Sequence, residues 1–259
     1  MPSRLIGDLT FTEVPRRLRA TSILCMPLGS MEQHGPHLPL NTDTVLAEAF
    51  TRRIVARWGD TFDLWQLPAL ALGLSREHAW AAGTMSLSVQ TMTALLRDMG
   101  SEIARALPAR NLVIVNGHGG NRGVLEALTQ ELRWDFGLNV CALHLGALMS
   151  PVVNSAMPEI HGGKDETSVM LALAPDLVHR DRIQALKNTP DQAAIRALIL
   201  DPGVTWPWST GDTRIADMGI IGDAQAASVE HGKAIVERAV EAIGPALKLL
   251  VENQKTPRG

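Results

Sequence analysis

Short apolar runs alternate with longer amphipathic stretches along this chain. The runs "TSILCMPLG" (21–29), "NLVIV" (111–115) and "NVCALHL" (139–145) are too short for helices and are bounded by turn formers, so they read as buried strands. "FDLWQLPAL" (62–70) reads as a further strand, interrupted or ended by Pro68. Helical periodicity predicts one helix from about Thr42 or Asp43 through "VLAEAFTRRIVARW". It predicts a second over 89–107, stopped by Pro108, and a third over "VLEALTQELRWDF" (124–136). "DETSVMLALAPD" (165–176) opens with acceptors suited to a helix N-terminus and ends at Pro175. The last strong element is one helix from about Asp223 to Glu252. The region 177–222 is less regular, and "DPGVTWPWSTGDTRIADMG" (201–219) reads as an extended surface or interface loop.

Strand, helix, strand, helix in succession implies a parallel or mostly parallel sheet with helices on both faces. In open sheets of this kind ligands bind in the loops at the carboxyl ends of the strands. Two unusual loops occupy such positions, "GSMEQHGPH" after the first strand and "NGHGGN" after "NLVIV". With no repeat, low-complexity tract or long linker, one domain over 1–259 is the simplest organisation.

Composition narrows the function classes. The net charge of −3 and the absence of a basic cluster argue against a nucleic-acid footprint. The absence of Tyr and the four Phe leave few rings for stacking on bases, although six Trp remain. Cys25 and Cys141 both lie inside apolar runs, which suits buried thiols rather than a disulfide framework. No signal-peptide core and no apolar span of ~20 residues is present, so a cytoplasmic protein without membrane attachment is expected.

Candidate chemistry concentrates in three loops. "PLGSMEQHGPHLPLNTDT" (27–44) places Glu32, His34, His37 and Asp43 among glycines and prolines. "GHGGNRG" lacks the third glycine of a dinucleotide turn, where Arg122 stands, and also lacks the Lys-Ser/Thr pair of a P-loop, so His118 is its informative residue. If their strands are neighbours, Glu32, His34, Asp43 and His118 converge at one sheet edge. Carboxylates with imidazoles and no thiolate suit Zn²⁺, Mn²⁺ or Fe²⁺, and the spacing could serve two ions sharing one carboxylate. In "EIHGGKDETS" (159–168), Glu166 lies at a helix start, where capping alone would explain an acid. His161 precedes two glycines, and a mobile imidazole beside a metal site suits proton transfer.

These residues resemble the creatininase (creatinine amidohydrolase) family. "PLGSMEQHGPHLPLNTDT" looks like its N-terminal signature, "VNGHGGN" like its central one, and "HGGKDETS" like its HAG-x-x-ETS segment. "SREHAWAAGTMSLS" (75–88) is similar to the S-x-EH…GT-x-S loop between them. The resemblance runs over residues 22–175 and fades in the C-terminal third. It implies a three-layer α/β/α sandwich with a mostly parallel central sheet, commonly a homohexamer, around a two-metal hydrolytic centre. Glu32 and His34 would each bind one ion, Asp43 would bridge them and His118 would complete the first site. Gly120 stands where creatininase has an acidic ligand of the second ion, and Glu166 is expected to supply that carboxylate. His37 would support the ligands from behind.

The resemblance further implies hydrolysis of a C–N amide bond in a small molecule, a cyclic amide or formamide, with two divalent ions per subunit. His161 would be the proton donor, Glu166 would serve the catalytic centre as a ligand, and Ser75, Glu77 and His78 would contact substrate. Family relatives also include a peptidase that trims a short peptide and a hydrolase that opens a cyclic keto-polyol. A metal-stabilised scaffold without turnover is the non-enzymatic reading, and it would have no use for His161 on its glycine loop.

Overall fold

The computed structural model describes residues 3–150 and 158–254. Among them a four-stranded parallel sheet forms from β1 (Ile23–Leu28), β2 (Leu64–Gln66), β3 (Asn111–Asn116) and β4 (Asn139–His144), in the order β2-β1-β3-β4. The helices are α1 (Val14–Arg17), α2 (Thr42–Phe62), α3 (Val89–Ala106), α4 (Arg122–Phe136), α5 (Leu145–Met149), α6 (Lys164–Leu173), α7 (Gln192–Ile195), α8 (Val229–Ala242) and α9 (Gly244–Gln254). No helix among the described residues is long and apolar enough to cross a membrane.

The two-residue period of a strand sorts its side chains to opposite faces. Ile23, Cys25, Val113 and Val115 pack into one apolar cluster with Leu46, Phe50 and Ile54 of α2, Val169 and Met170 of α6, and residues of α8 and α9. Leu24, Met26, Leu28, Leu112 and Ile114 pack on the other face with Met92, Leu96 and Ile103 of α3 and Leu125, Leu128 and Leu132 of α4. The result is a three-layer α/β/α sandwich. β1 and β3, buried on both faces, accordingly read as continuous apolar runs.

The element boundaries follow local chemistry. Ser88 accepts a hydrogen bond from the Thr91 amide at the start of α3 (3.1 Å). α2 ends where Asp63 adopts a left-handed conformation (φ 51°) that a short polar residue tolerates. The Asp63 carboxylate accepts from the Ser22 hydroxyl (2.5 Å) and the Trp65 indole (2.9 Å), tying α2 to both flanking strands.

Three expectations change. The strand expected over 62–70 is shorter, because α2 runs through Phe62 and Pro68 has no amide to donate. The single C-terminal helix is instead a 3₁₀ turn at Ala224–Ala226 followed by α8 and α9. Pro245 accounts for the break: it donates no hydrogen bond, and its ring excludes the carbonyl four residues back, so a new helix starts around it. The segment 201–219 is not simply a surface loop. Thr210, Ile215, Ala216 and Asp217 are buried, and Ile215 and Ala216 join Ile195 and Ile221 in a small third apolar cluster. Trp206 remains 52% exposed.

Phe50 is fully buried where α2 meets the sheet. Phe50→Ala should lower unfolding free energy by about 3–5 kcal/mol, read from chemical denaturation, whereas Trp134→Ala, at an exposed position of α4, should shift it by ~0.5 kcal/mol or less. Equal effects at the two positions would contradict this packing.

Candidate metal centre

Leu28 and Asn116 are register partners at the carboxyl ends of β1 and β3, so the loops that follow them leave the sheet side by side. The first loop carries Glu32 and His34 and ends in α2, whose first turn holds Asp43. The second carries His118 just before a 3₁₀ turn, Gly119–Asn121, that leads into α4. His161 and Glu166 arrive with the turn and first residues of α6, and Glu77 and His78 with a 3₁₀ turn at Arg76–His78.

These side chains meet at short range. His118 Nδ1 lies 3.2 Å from Glu32 Oε1 and 3.3 Å from Asp43 Oδ2. His34 Nε2 lies 3.3 Å from Asp43 Oδ1, 3.7 Å from Glu166 Oε1 and 3.9 Å from Glu32 Oε1. Two ligand groups result, Glu32–Asp43–His118 and His34–Asp43–Glu166, with Asp43 common to both. Glu32, His34 and His161 form a third group, with one ligand atom from each lying within 4.8 Å of the others.

Backbone carbonyls orient the rings. A carbonyl only accepts, so each ring nitrogen facing one must carry the hydrogen. His118 Nε2–H donates to the Leu74 carbonyl (2.6 Å), His34 Nδ1–H to that of Glu32 (3.1 Å), and His161 Nε2–H to that of Gln33 (2.6 Å). The remaining nitrogens of all three rings point at carboxylates, an arrangement typical of histidines prepared to ligate metal. Among the described residues, Glu32 Oε1 and Oε2, His34 Nε2, His37 Nδ1 and Asp43 Oδ2 are buried with no hydrogen-bond partner. Buried polar atoms are seldom left unpaired, and here those of Glu32, His34 and Asp43 belong to side chains that converge as ligand groups, whereas His37 stands outside them. The donor set therefore fits divalent metal ions.

The imidazoles divide electrostatically. Burial pulls His34 down, but Asp43, Glu166 and Glu32 outweigh it and push it up to about 10. His118 is likewise raised well above the ordinary value by Glu32 and Asp43 against the effect of burial. Burial, with the His34 charge nearby, lowers His37 to about 4. Burial also takes His78 to about 3 and His161 well below 6.5, with further lowering by charged neighbouring rings. Asp43 is held ionised, because His34 and His118 overcome its burial, whereas burial raises Glu166.

The chain matches the creatinine amidohydrolase family over residues 7–247. The chain belongs to the creatininase family. It is 35% identical to the mycofactocin precursor peptide peptidase of Mycobacterium tuberculosis (strain ATCC 25618 / H37Rv) over 246 residues, 91% of this chain and 87% of that protein. It is 32% identical to the creatinine amidohydrolase of Pseudomonas putida over 272 residues, 95% and 96% of the two chains. A solved manganese creatininase covers 98% of this chain and all of its own at TM-score 0.76 and 30% identity.

In this creatininase-family chain the other expected site residues fall into distinct places. Glu77, His78 and His161 line a cleft with Glu32 and His118, and Arg76 and Trp206 stand beside them. Ser75, expected to contact substrate, is buried beneath His118, 3.5 Å from its Nε2, and shares a short hydrogen bond with Ser30. His37 lies behind the ligands, where its Nε2 pairs with Thr167 Oγ1 (2.8 Å). The His161 ring is not mobile. It stacks between His34 and His78, with centroids 4.3 and 4.1 Å away, and its backbone pairs with Ile221. Its first glycine serves another purpose: Gly162 has φ +62°, which directs the chain into α6 while its amide donates to Glu166 Oε2 (2.7 Å).

Gln33, Thr210 and Trp208 also belong to the site, although the sequence reading did not single them out. Gln33 Nε2 lies within 3.0–3.2 Å of His78, His161, Thr210 and the Gly219 carbonyl. Thr210 Oγ1 pairs with His78 Nδ1 (2.8 Å), and Trp208 meets His78 edge-on. Gln33 was visible inside the signature, between Glu32 and His34. Thr210 and Trp208 carried no local signal, since only the return of residues 201–219 over the cleft brings them in.

His34 and His118 hold extra protons at neutral pH, and a metal ion can use their lone pairs only after those protons leave. Binding should therefore strengthen as pH rises from 6 to 8, by up to about tenfold per pH unit for each ion that displaces one proton. Calorimetric titration with Zn²⁺ or Mn²⁺ in buffers of different ionisation enthalpy counts the protons. Uptake without proton release would contradict the electrostatic arrangement.

Proposed function

We propose that this chain is a two-metal amidohydrolase that cleaves a C–N amide bond within one hydrolase domain. The observation carrying this reading is the convergence of buried, unpaired ligand atoms of Glu32, His34 and Asp43, with Glu32 lining a cleft of about 510 Å³. Glu32, Asp43 and His118 would hold one divalent ion, and His34, Asp43 and Glu166 the other, with Zn²⁺ favoured by the nitrogen and oxygen donors and Mn²⁺ or Fe²⁺ compatible with them. Divalent ions in such a pair supply Lewis acidity toward an amide carbonyl and lower the pKa of water toward neutrality.

The chain's own groups account for the proton. His161 is neutral at working pH and presents Nδ1 toward Glu32 at 3.7 Å, on the floor of the cleft. It accepts one proton from the attacking water and delivers it to the departing nitrogen, so that the amide C–N bond breaks and a carboxylic acid and an amine leave, the acid's proton then passing to the amine or to solvent. The His161 Nε2–H bond to the Gln33 carbonyl keeps the ring in place. His78, with Thr210 and Trp208 behind it, forms the wall that a substrate meets.

Two substrate classes suit this chemistry. A cyclic amide or formamide is the class the signatures favour. A short peptide is supported by the cleft itself, whose volume falls in the ~300–1,000 Å³ range of sites for drug-sized ligands, and by similarity to the mycofactocin precursor peptide peptidases. Arg76 with Trp206 and Trp208 at the cleft gives such a ligand one cation and two indole rings. Incubating metal-loaded protein with cyclic amides, formamides, short peptides and cyclic keto-polyols, followed by mass spectrometry, separates these classes. Turnover of the keto-polyols alone would overturn the amide reading.

Replacement of a proton carrier and of a ligand should have different signatures. His161→Ala should retain two ions per chain by elemental analysis and lose ~10²–10⁴-fold in kcat. His118→Ala should lose metal. Loss of an ion from His161→Ala in step with activity would make His161 a ligand.

We also propose a homohexamer. Beyond the family resemblance, Trp80, Val204 and Trp206 leave much apolar surface exposed near the cleft, which association would cover. Light scattering should give six times the mass of one chain, and a monomer across micromolar concentrations would refute this assembly.

A further inference from the structure

The Glu32–Asp43–His118 group has three protein donors from two loops and α2, and it opens toward the cleft on the side of Gly120. A Cβ added at Gly120 would lie 2.5 Å from Glu77 Oε1, 2.5 Å from His118 Nε2 and 2.2 Å from the Leu74 carbonyl oxygen. Position 120 therefore has no room for a side chain, because the Leu74 carbonyl and the Glu77 carboxylate occupy that ground. The carboxylate standing there belongs to Glu77.

Glu77 is set in place by its own backbone. Its carbonyl accepts from the Thr210 amide (3.0 Å) and the Ser209 hydroxyl (3.0 Å), which anchors the 3₁₀ turn from the far loop. Its side chain is 15% exposed, and Oε1 lies 3.5 Å from His118 Nε2. That nitrogen already donates to the Leu74 carbonyl at 2.6 Å, so Glu77 is not required to fix the ring. The carboxylate lines the cleft beside Glu32 and His118, and both Glu32 oxygens and Asp43 Oδ2 of that group are buried and unpaired.

We propose that Glu77 is the outer carboxylate of the Glu32–Asp43–His118 ion site, closing from position 77 the side that Gly120 leaves bare and holding the water there. This rests on the two-ion reading above and assigns Glu77 to one ion only, because Glu166 serves the His34 side at 3.7 Å. Glu77 then contributes negative charge to binding and an acceptor to the water that the cleft admits. The exchange is specific to this backbone: a side chain at position 120 would collide with the Leu74 carbonyl, which itself orients His118.

The test reads metal binding rather than turnover. Metal-free wild type and Glu77→Gln are titrated with Co²⁺, followed by visible absorption and by competition with a chelator. Glutamine keeps the size and polarity of the side chain and removes its charge. Glu77→Gln should weaken one of the two ions by about 10–100-fold and leave the other unchanged, the range typical for loss of a group behind the direct ligands. Glu102→Gln, which removes an exposed carboxylate of α3 outside the cleft, should leave both affinities at wild-type values. Two unchanged affinities in Glu77→Gln, or equal weakening of both ions, would overturn the assignment while leaving the two-ion reading intact. A wild type that takes up neither ion would overturn that reading as well.

Discussion

Leu28 and Asn116 sit side by side at the ends of two adjacent parallel strands, and the whole centre depends on that register. Parallel pairing sends both chains out of the sheet at the same edge, so the loops that follow must share space. Glu32 and His34 come from one, His118 from the other, and Asp43 from the helix that closes the first. A slip of one residue between β1 and β3 would exchange the core faces of a strand and carry His118 away from Asp43. The apolar clusters on both sides of the sheet therefore hold the site as well as the fold.

The centre itself opposes folding in the absence of cations. Each buried polar group left unpaired costs ~1–3 kcal/mol, and charged groups cost more. Here both oxygens of Glu32 and one of Asp43 are in that condition. The protonated rings of His34 and His118 offset part of this charge, which is why their pKa values rise despite burial. Backbone carbonyls of Glu32, Leu74 and Gln33 hold the imidazoles so that the free nitrogens face inward. The scaffold's own hydrogen bonds thus set the directions of these rings, as a site for charge stabilisation requires.

The cleft wall has a different origin from its floor. Residues 201–219 return over the site with Thr210 against His78 and Trp208 against the same ring, and Thr210 and Ser209 pin the turn that carries Glu77. A change in this returning segment would reshape the space above the metal groups without touching a direct ligand. Relatives of this chain bear names that point to different molecules, a mycofactocin precursor peptide and creatinine.

The layer architecture and most elements were legible from the sequence, because apolar runs and helical periodicity report burial directly. Glu32, His34, Asp43 and His118 were legible too, since each lies in a loop immediately after an apolar strand. The division of the C-terminal helix was signalled by Pro245 but concealed by continuous apolar periodicity on either side. Three decisions belonged to tertiary structure alone. The burial of Ser75 under His118, the clamping of His161 between two rings, and the arrival of Thr210 and Trp208 at the cleft all depend on contacts between segments distant along the chain. Local sequence encodes which face of an element is apolar; which remote side chain fills the space beside it is set only when the layers close.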